Sequence, residues 1–199
     1  MKKLSFILLI LTSLNVKAGT GWTIEKYEDG IKVYTRKVDG WDVEEFKAYA
    51  TIDAPREKVR EALLDIADFV KWFPDVDESA ELSRSSYENR VIYYKIDLPW
   101  PADDRDIVLN YTVKNDEEKN ETIISMKENL TAKSKVDGVI RMTKTRGFWI
   151  LKSNGNKTDI HYQVLADPGG SMPTWLINMF IVDGPYDTIM ALRKRVKQI

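Results

Sequence analysis

Apolar residues recur at every second position in two early segments. Ile31, Val33 and Thr35 share one side of a strand that begins at the Asp29-Gly30 turn. Phe46, Ala48, Ala50 and Ile52 repeat the pattern beyond Asp39-Gly40. The period then changes. Pro55 stands where a first helical turn begins, and Val59, Ala62, Leu63, Ile66, Phe69, Val70 and Phe73 follow at three- and four-residue spacing. That spacing predicts one amphipathic helix ending before Pro74. A run of strands comes next. Ile92, Tyr94, Ile96 and Leu98 share a face, as do Ile107, Leu109, Tyr111 and Val113. Ile124 and Met126 lie on one side of the segment 122–130, a long strand is predicted over 139–151, and a last one over 158–166. The polar stretch 115–120 and Asn154-Gly155 read as hairpin turns, so the series predicts an antiparallel meander.

The chain closes on a different pattern. Pro173 opens a helix in which Trp175, Leu176, Ile177, Met179, Phe180, Ile181 and Val182 are apolar nearly all the way round, the mark of an enclosed helix. Gly184-Pro185 predicts a bend, because proline removes a backbone donor and crowds the preceding turn. From Tyr186 to Val196 the helix is amphipathic and ends among Arg193, Lys194, Arg195 and Lys197. The fold class is α+β: a curved antiparallel sheet wrapped around a long C-terminal helix.

The N-terminus belongs to none of this. Lys2 and Lys3 precede an apolar run from Leu4 to Leu14, and Val16-Lys17-Ala18 suits a signal peptidase cutting before Gly19. The run is short of the about 20 residues that a bilayer span needs. Residues 1–18 are therefore read as a secretory signal peptide and 19–199 as a single domain. Removing Lys2, Lys3 and Lys17 from the 30 basic residues leaves 27 against 31 acidic ones, a mildly acidic exported protein. The absence of cysteine excludes disulfides, thiolate metal sites and a thiol nucleophile, and fits a bacterial periplasm better than a eukaryotic secretory path. A single histidine excludes a histidine pair on a metal, and the near-zero net charge provides no basic field for nucleic acid.

The remaining chemistry is sparse. His161 alternates with Ile160, Tyr162 and Val164, which sends it to the solvent side of its strand rather than into a site. Asp103, Asp104 and Asp106 crowd around Arg105; they lack calcium-loop spacing, so a loop held by Asp–Arg pairing is the preferred reading. The neighbouring glutamates Glu44-Glu45 and Glu117-Glu118 point apart on a strand, which is poor geometry for paired-carboxylate catalysis. The terminal cations complement the helix dipole; the alternative for that cluster is transient contact with an anionic membrane surface. Inward aromatic and methionine side chains suit a cavity for a flexible apolar ligand.

Several segments, in order, resemble the START domains, the steroidogenic-acute-regulatory-related lipid-transfer family. They are Ala54-Pro55, Lys71-Trp72-Phe73-Pro74-Asp75, Pro99-Trp100-Pro101 leading into Asp104-Arg105-Asp106-Ile107-Val108, Gly138-Val139-Ile140-Arg141, the stretch 167–178 from Asp167-Pro168-Gly169-Gly170, and Leu192-Arg193-Lys194-Arg195. Together the resemblance spans roughly residues 22–197. It implies a helix-grip fold with a lipid or sterol tunnel between sheet and terminal helix, the helix and nearby loops serving as a lid, and no cofactor or metal. It places Ile92, Tyr94, Leu109, Tyr111, Met126, Met142, Ile177 and Ile181 on the tunnel wall. The family often carries an acid–base pair inside its tunnel, and Tyr111 stands where the basic member is expected. The implied function is a monomeric envelope carrier of a lipid- or sterol-like ligand, without catalysis. Two rivals stand beside it: a cyclase- or hydrolase-type enzyme on the same cavity, as found in the wider superfamily, and an interaction module with a filled core.

Overall fold

The computed structural model describes residues 21–199, so the expected signal peptide at 1–18 lies outside the described residues. Strands β1 (Thr23–Glu28) and β2 (Ile31–Arg36) form a hairpin. Its two turn residues, Asp29 and Gly30, both take positive φ, 50° and 70°, as the right-handed strand twist demands of a two-residue turn. β3 (Glu45–Ile52) pairs with β2 and buries Phe46, Ala48, Ala50 and Ile52 on the face that carries Ile31, Val33 and Thr35.

The single helix expected from Pro55 to Phe73 is interrupted. α1 (Arg56–Leu64) gives way at Asp65, whose φ of −85° and ψ of 74° are not helical. A 3₁₀ turn (Ile66–Asp68) and the short α2 (Phe69–Trp72) follow. Side chains from elsewhere meet the interruption. The Leu64 carbonyl accepts from Arg90 Nη1 at 3.2 Å, and Arg195 Nη2 reaches Asp68 Oδ2 at 2.6 Å. The apolar positions still face inward, except Val70, which is exposed.

The helical segment carries the chain to the far edge of the sheet. There β4 (Val76–Arg84), β5 (Asn89–Ile96), β6 (Arg105–Asp116) and β7 (Glu121–Glu128) run antiparallel in sequence. The stretch 139–151, expected as one strand, is split: β8 (Ile140–Arg141) pairs parallel with β6, and β9 (Lys144–Asn154) pairs with β7. The turn to β10 (Lys157–Asp167) falls on Gly155-Asn156, one residue later than expected. Because β10 pairs back onto β3, the sheet order is β1-β2-β3-β10-β9-β7-β6-β5-β4. The strands from β4 to β10, apart from β8, form the meander read from sequence, and β1, β2 and β3 form a second one joined to it at β3–β10. The join forms the continuous curved sheet, with one core along its inner face.

The C-terminal helix lies across that face. α3 (Thr174–Asn178), a π-helical turn (Met179–Asp183) and α4 (Gly184–Arg195) follow one another without a break. The π turn ends where the Gly184 N–H donates to the Met179 carbonyl; Pro185, which has no N–H, comes next, so the ladder is re-spaced there rather than cut. α4 buries Thr188, Ile189 and Leu192 against β2, β3 and α1. Its end is tied down, since Arg193 donates to the carbonyls of Asp29 (2.7 Å) and Thr51 (3.1 Å). Of the four terminal cations, Arg193 and Arg195 thus hold the fold together, and Lys194 and Lys197 are exposed. The apolar first half is not enclosed as expected. Leu176 is buried, no residue of the π turn is, and Trp175 is 54% exposed.

Candidate functional site

A cavity remains between the inner face of the sheet and the helical segment 177–188. It has a volume of about 140 Å³, below the roughly 300–1,000 Å³ of ordinary ligand pockets but many times the roughly 10–15 Å³ that one water needs, so it is not a packing defect.

The strands that line it contribute through their inward alternation. Ile96 and Tyr94 come from β5, Ile107 and Leu109 from β6, Met126 from β7, Gly147 from β9, and Tyr162, Val164 and Ala166 from β10. Phe46 of β3 and Phe73 after α2 close the wall, and Ile177, Phe180 and Ile181 form the helical side. Gly147 is needed for close approach: a Cβ there would lie 2.6 Å from the Gln163 carbonyl oxygen and 2.8 Å from Val164 Cγ2. Of the eight positions named from sequence, Tyr94, Leu109, Met126, Met142, Ile177 and Ile181 line the cavity. Ile92 and Tyr111 do not. Ile92 is fully buried and Tyr111 4% exposed, both in the packed core beyond the lining, on the same faces but deeper along their strands. Phe46, Ile107 and Val164 carried the needed signal, since each sits in an alternating run. Gly147 and Thr145 had none.

The charged lining residues stand at strand ends. Glu44 immediately precedes β3, Asp75 precedes β4, and Arg105 is the first residue of β6. The Asp–Arg pairing expected around Arg105 takes another form. Arg105, 1% exposed, donates from Nε to Pro168 O and from Nη2 to Gly169 O, both at 3.0 Å, and from Nη1 to the Asp103 carbonyl. It thus braces the segment leading into the terminal helix. Burial without a carboxylate partner lowers its pKa. Asp106 alternates to the opposite face and takes Arg141 in a two-point bond of 2.7 and 2.8 Å. Asp104 accepts from the Leu98 N–H and lies near Lys95.

Deeper inside, the polar groups are phenols. Burial pushes the Tyr94 hydroxyl up to about 12, and also raises those of Tyr111 and Tyr162 above the ordinary phenol value. Tyr162 is held flat against Trp149, with ring centres 3.7 Å apart, and Tyr94 packs edge-on to Phe69. His161 lies on the outer face, but it is not a free solvent-facing group. It stacks on Tyr49 at 4.4 Å and meets Phe148 edge-on, its Nε2 is buried without a partner, and burial lowers its pKa.

The START domain family model matches residues 10–199. A solved STAR-related lipid transfer protein fragment from Xanthomonas axonopodis superimposes with a TM-score of 0.82 at 31% identity, covering 89% of this chain and 99% of that one. An uncharacterized protein of Pseudomonas aeruginosa is 33% identical over 178 residues, 89% of this chain and 87% of its own length. The phosphatidylcholine transfer protein of Mus musculus is 23% identical over 171 residues, 83% of this chain and 79% of its own.

Proposed function

The chain belongs to the START domain family, and from that membership and the geometry of its cavity we propose that it binds a lipid- or sterol-like ligand and carries it in the cell envelope without catalysis. The observation that carries this reading is the cavity itself, walled by apolar side chains and roofed by one helix. The lipid-transfer names of the Xanthomonas and mouse proteins support it. So does the helical roof, whose π turn is only half-buried, although Ile181 packs on the core, and is therefore less firmly held than α4. A cavity of about 140 Å³ is close to the roughly 150 Å³ that holds one benzene, so a lipid- or sterol-sized ligand requires the helical roof to move.

Delivery places the mouth against a membrane. Trp100, 90% exposed, lies five residues before the lining residue Arg105, and Trp175, 54% exposed, lies two residues before the lining residue Ile177, and exposed tryptophans suit a membrane interface. This assignment replaces the terminal arginines, which are occupied within the fold. The protein acts as a monomer in a bacterial periplasm after cleavage before Gly19, as the leader-like pattern of residues 1–18 supports.

Native mass spectrometry of the protein recovered from periplasmic extract tests the whole reading. The expected result is a chain starting at Gly19 with a noncovalent apolar adduct that solvent extraction removes unchanged. A protein that carries no adduct and moves no labelled lipid between vesicles would refute the carrier reading. A ligand recovered with altered mass would favour the cyclase- or hydrolase-type enzyme.

A further inference from the structure

The loop between β7 and β8 is shaped by bonds from both of its ends. Asn129 Oδ1 accepts from the N–H groups of Thr131 and Ala132, both at 3.0 Å, and so turns the chain as it leaves β7. From the other end, Arg141 donates from Nη1 to the Lys133 carbonyl at 2.9 Å and from Nη2 to the Ser134 carbonyl at 3.1 Å. Arg141 is itself fixed, because the pairing of β8 with β6 sets it beside Asp106 in the two-point bond already described.

Against this loop lies a second pocket, open to solvent and about 430 Å³ in volume. Its charged lining is all of one sign: Lys133, Lys135 and Arg141. Thr131, Ser134 and Thr143 add hydroxyls, and no carboxylate lines it among the described residues. Asp106 neutralises Arg141, but neither lysine has an ion-pair partner among the described residues. Lys133 is half-buried, with its Nζ 4.5 Å from the centre of the Tyr93 ring. Tyr93 is 3% exposed, and its hydroxyl is buried without a partner among the described residues. Buried hydroxyls are normally satisfied by protein, water or ligand.

Single unpaired lysines are ordinary on a protein surface. Two that share one concave wall repel each other, and an anion between them removes that cost. Ammonium groups can only donate, and hydroxyls readily do so. A phosphate monoester, with about −1.5 to −2 charges and three acceptor oxygens, matches two cations and several donors better than a single carboxylate does. Because the loop is already pinned, little ordering has to be spent on binding.

We propose that this loop pocket binds a phosphate monoester, held by Lys133 and Lys135 with the Ser134 and Thr143 hydroxyls, and that Arg141 acts as a positioning residue. The pocket shares no lining residue with the apolar cavity, so the proposal does not rest on the carrier reading. A lipid headgroup and a soluble ester present the same chemistry.

Isothermal titration at low ionic strength measures binding of glycerol 3-phosphate, with glycerol as the neutral control. Flotation measures binding to vesicles of phosphatidylcholine alone and with phosphatidic acid, whose exposed head is the same monoester. The native protein should bind glycerol 3-phosphate and not glycerol, and added salt should weaken the binding, as an open site requires. K133A/K135A should bind at least tenfold more weakly. K194A/K197A, which removes the same charge from two exposed lysines at the C-terminal end, should match the native protein. K135A alone, at an exposed side chain, should weaken binding severalfold with an unchanged melting transition, so the result does not depend on the double variant folding. Flotation on phosphatidic acid that K133A/K135A loses assigns the phosphate to a lipid headgroup. Calorimetric binding without flotation, or with flotation that K133A/K135A keeps, assigns it to a soluble ester. No binding of glycerol 3-phosphate by the native protein, or binding that K133A/K135A keeps as fully as K194A/K197A, overturns the proposal and leaves the carrier reading as it was.

Discussion

Replacing Ile181 by tryptophan should block ligand binding without unfolding the protein. Ile181 lines the cavity from the π turn, where no residue is fully buried. A two-ring side chain in place of a branched aliphatic one would take space from the cavity. If it excludes two to three methylenes of ligand at about 0.8 kcal/mol each, the loss is about 1.6–2.4 kcal/mol, roughly 15- to 60-fold in Kd. Ile189 on the same helix is an internal control, because it is 0% exposed and does not line the cavity. Ile189→Trp should carry the overpacking cost of a filled core, about 1–3 kcal/mol, which in a chain of this size lowers Tm by roughly 2–12 °C. The assay is titration with a fluorescent fatty acid or sterol beside a thermal melt of the same sample. Ile181→Trp should weaken binding within that range and move Tm by no more than a few degrees. If it destabilises as much as Ile189→Trp and leaves affinity unchanged, the space beneath the helix is packed in solution and the reasoning fails.

Two further substitutions probe the frame around the cavity. Asp106→Asn strands a buried Arg141 guanidinium that now makes a two-point ion pair, so stability should fall by about 3–5 kcal/mol. Calorimetry or urea titration would refute this if the loss stayed below about 1 kcal/mol. Burial lowers the pKa of His161 from its ordinary 6.5, a shift the Gln163 hydrogen bond offsets only in part. The unfolded chain thus takes up the proton first, so stability should be full above about pH 6.5 and decline as pH falls through the lowered folded value. His161→Phe should flatten the slope of stability between pH 6.5 and 5 and leave ligand affinity unchanged, since the ring is on the outer face. An unchanged slope would place the titration elsewhere.

Much of the architecture was legible in the sequence because local periodicity reports which face a residue occupies. The runs through Ile31, Phe46, Ile107 and Ile124 all placed their apolar positions on the inner face where the structure has them. β1 and β4 left almost no trace. As edge strands they bury little, Val76 being the one fully buried residue of β4 and none of β1, so they lack an alternating apolar signal. The Asp103–Asp106 cluster misled for a related reason. Adjacent residues on a strand point to opposite faces, so Asp106 finds Arg141, 35 positions away, rather than Arg105 beside it. The terminal helix marks the limit most clearly. Apolar side chains all round Trp175–Val182 read as a buried helix, but that pattern is equally compatible with one side roofing a cavity and the other left open. Ile92, Leu109 and Tyr111 also share one apolar face, and only Leu109 borders the space. Face is set by the geometry of the local chain. Depth along the tunnel, and whether anything fills it, depend on how far the curvature of the sheet and the seating of the helix hold distant residues apart, and no local pattern records that separation.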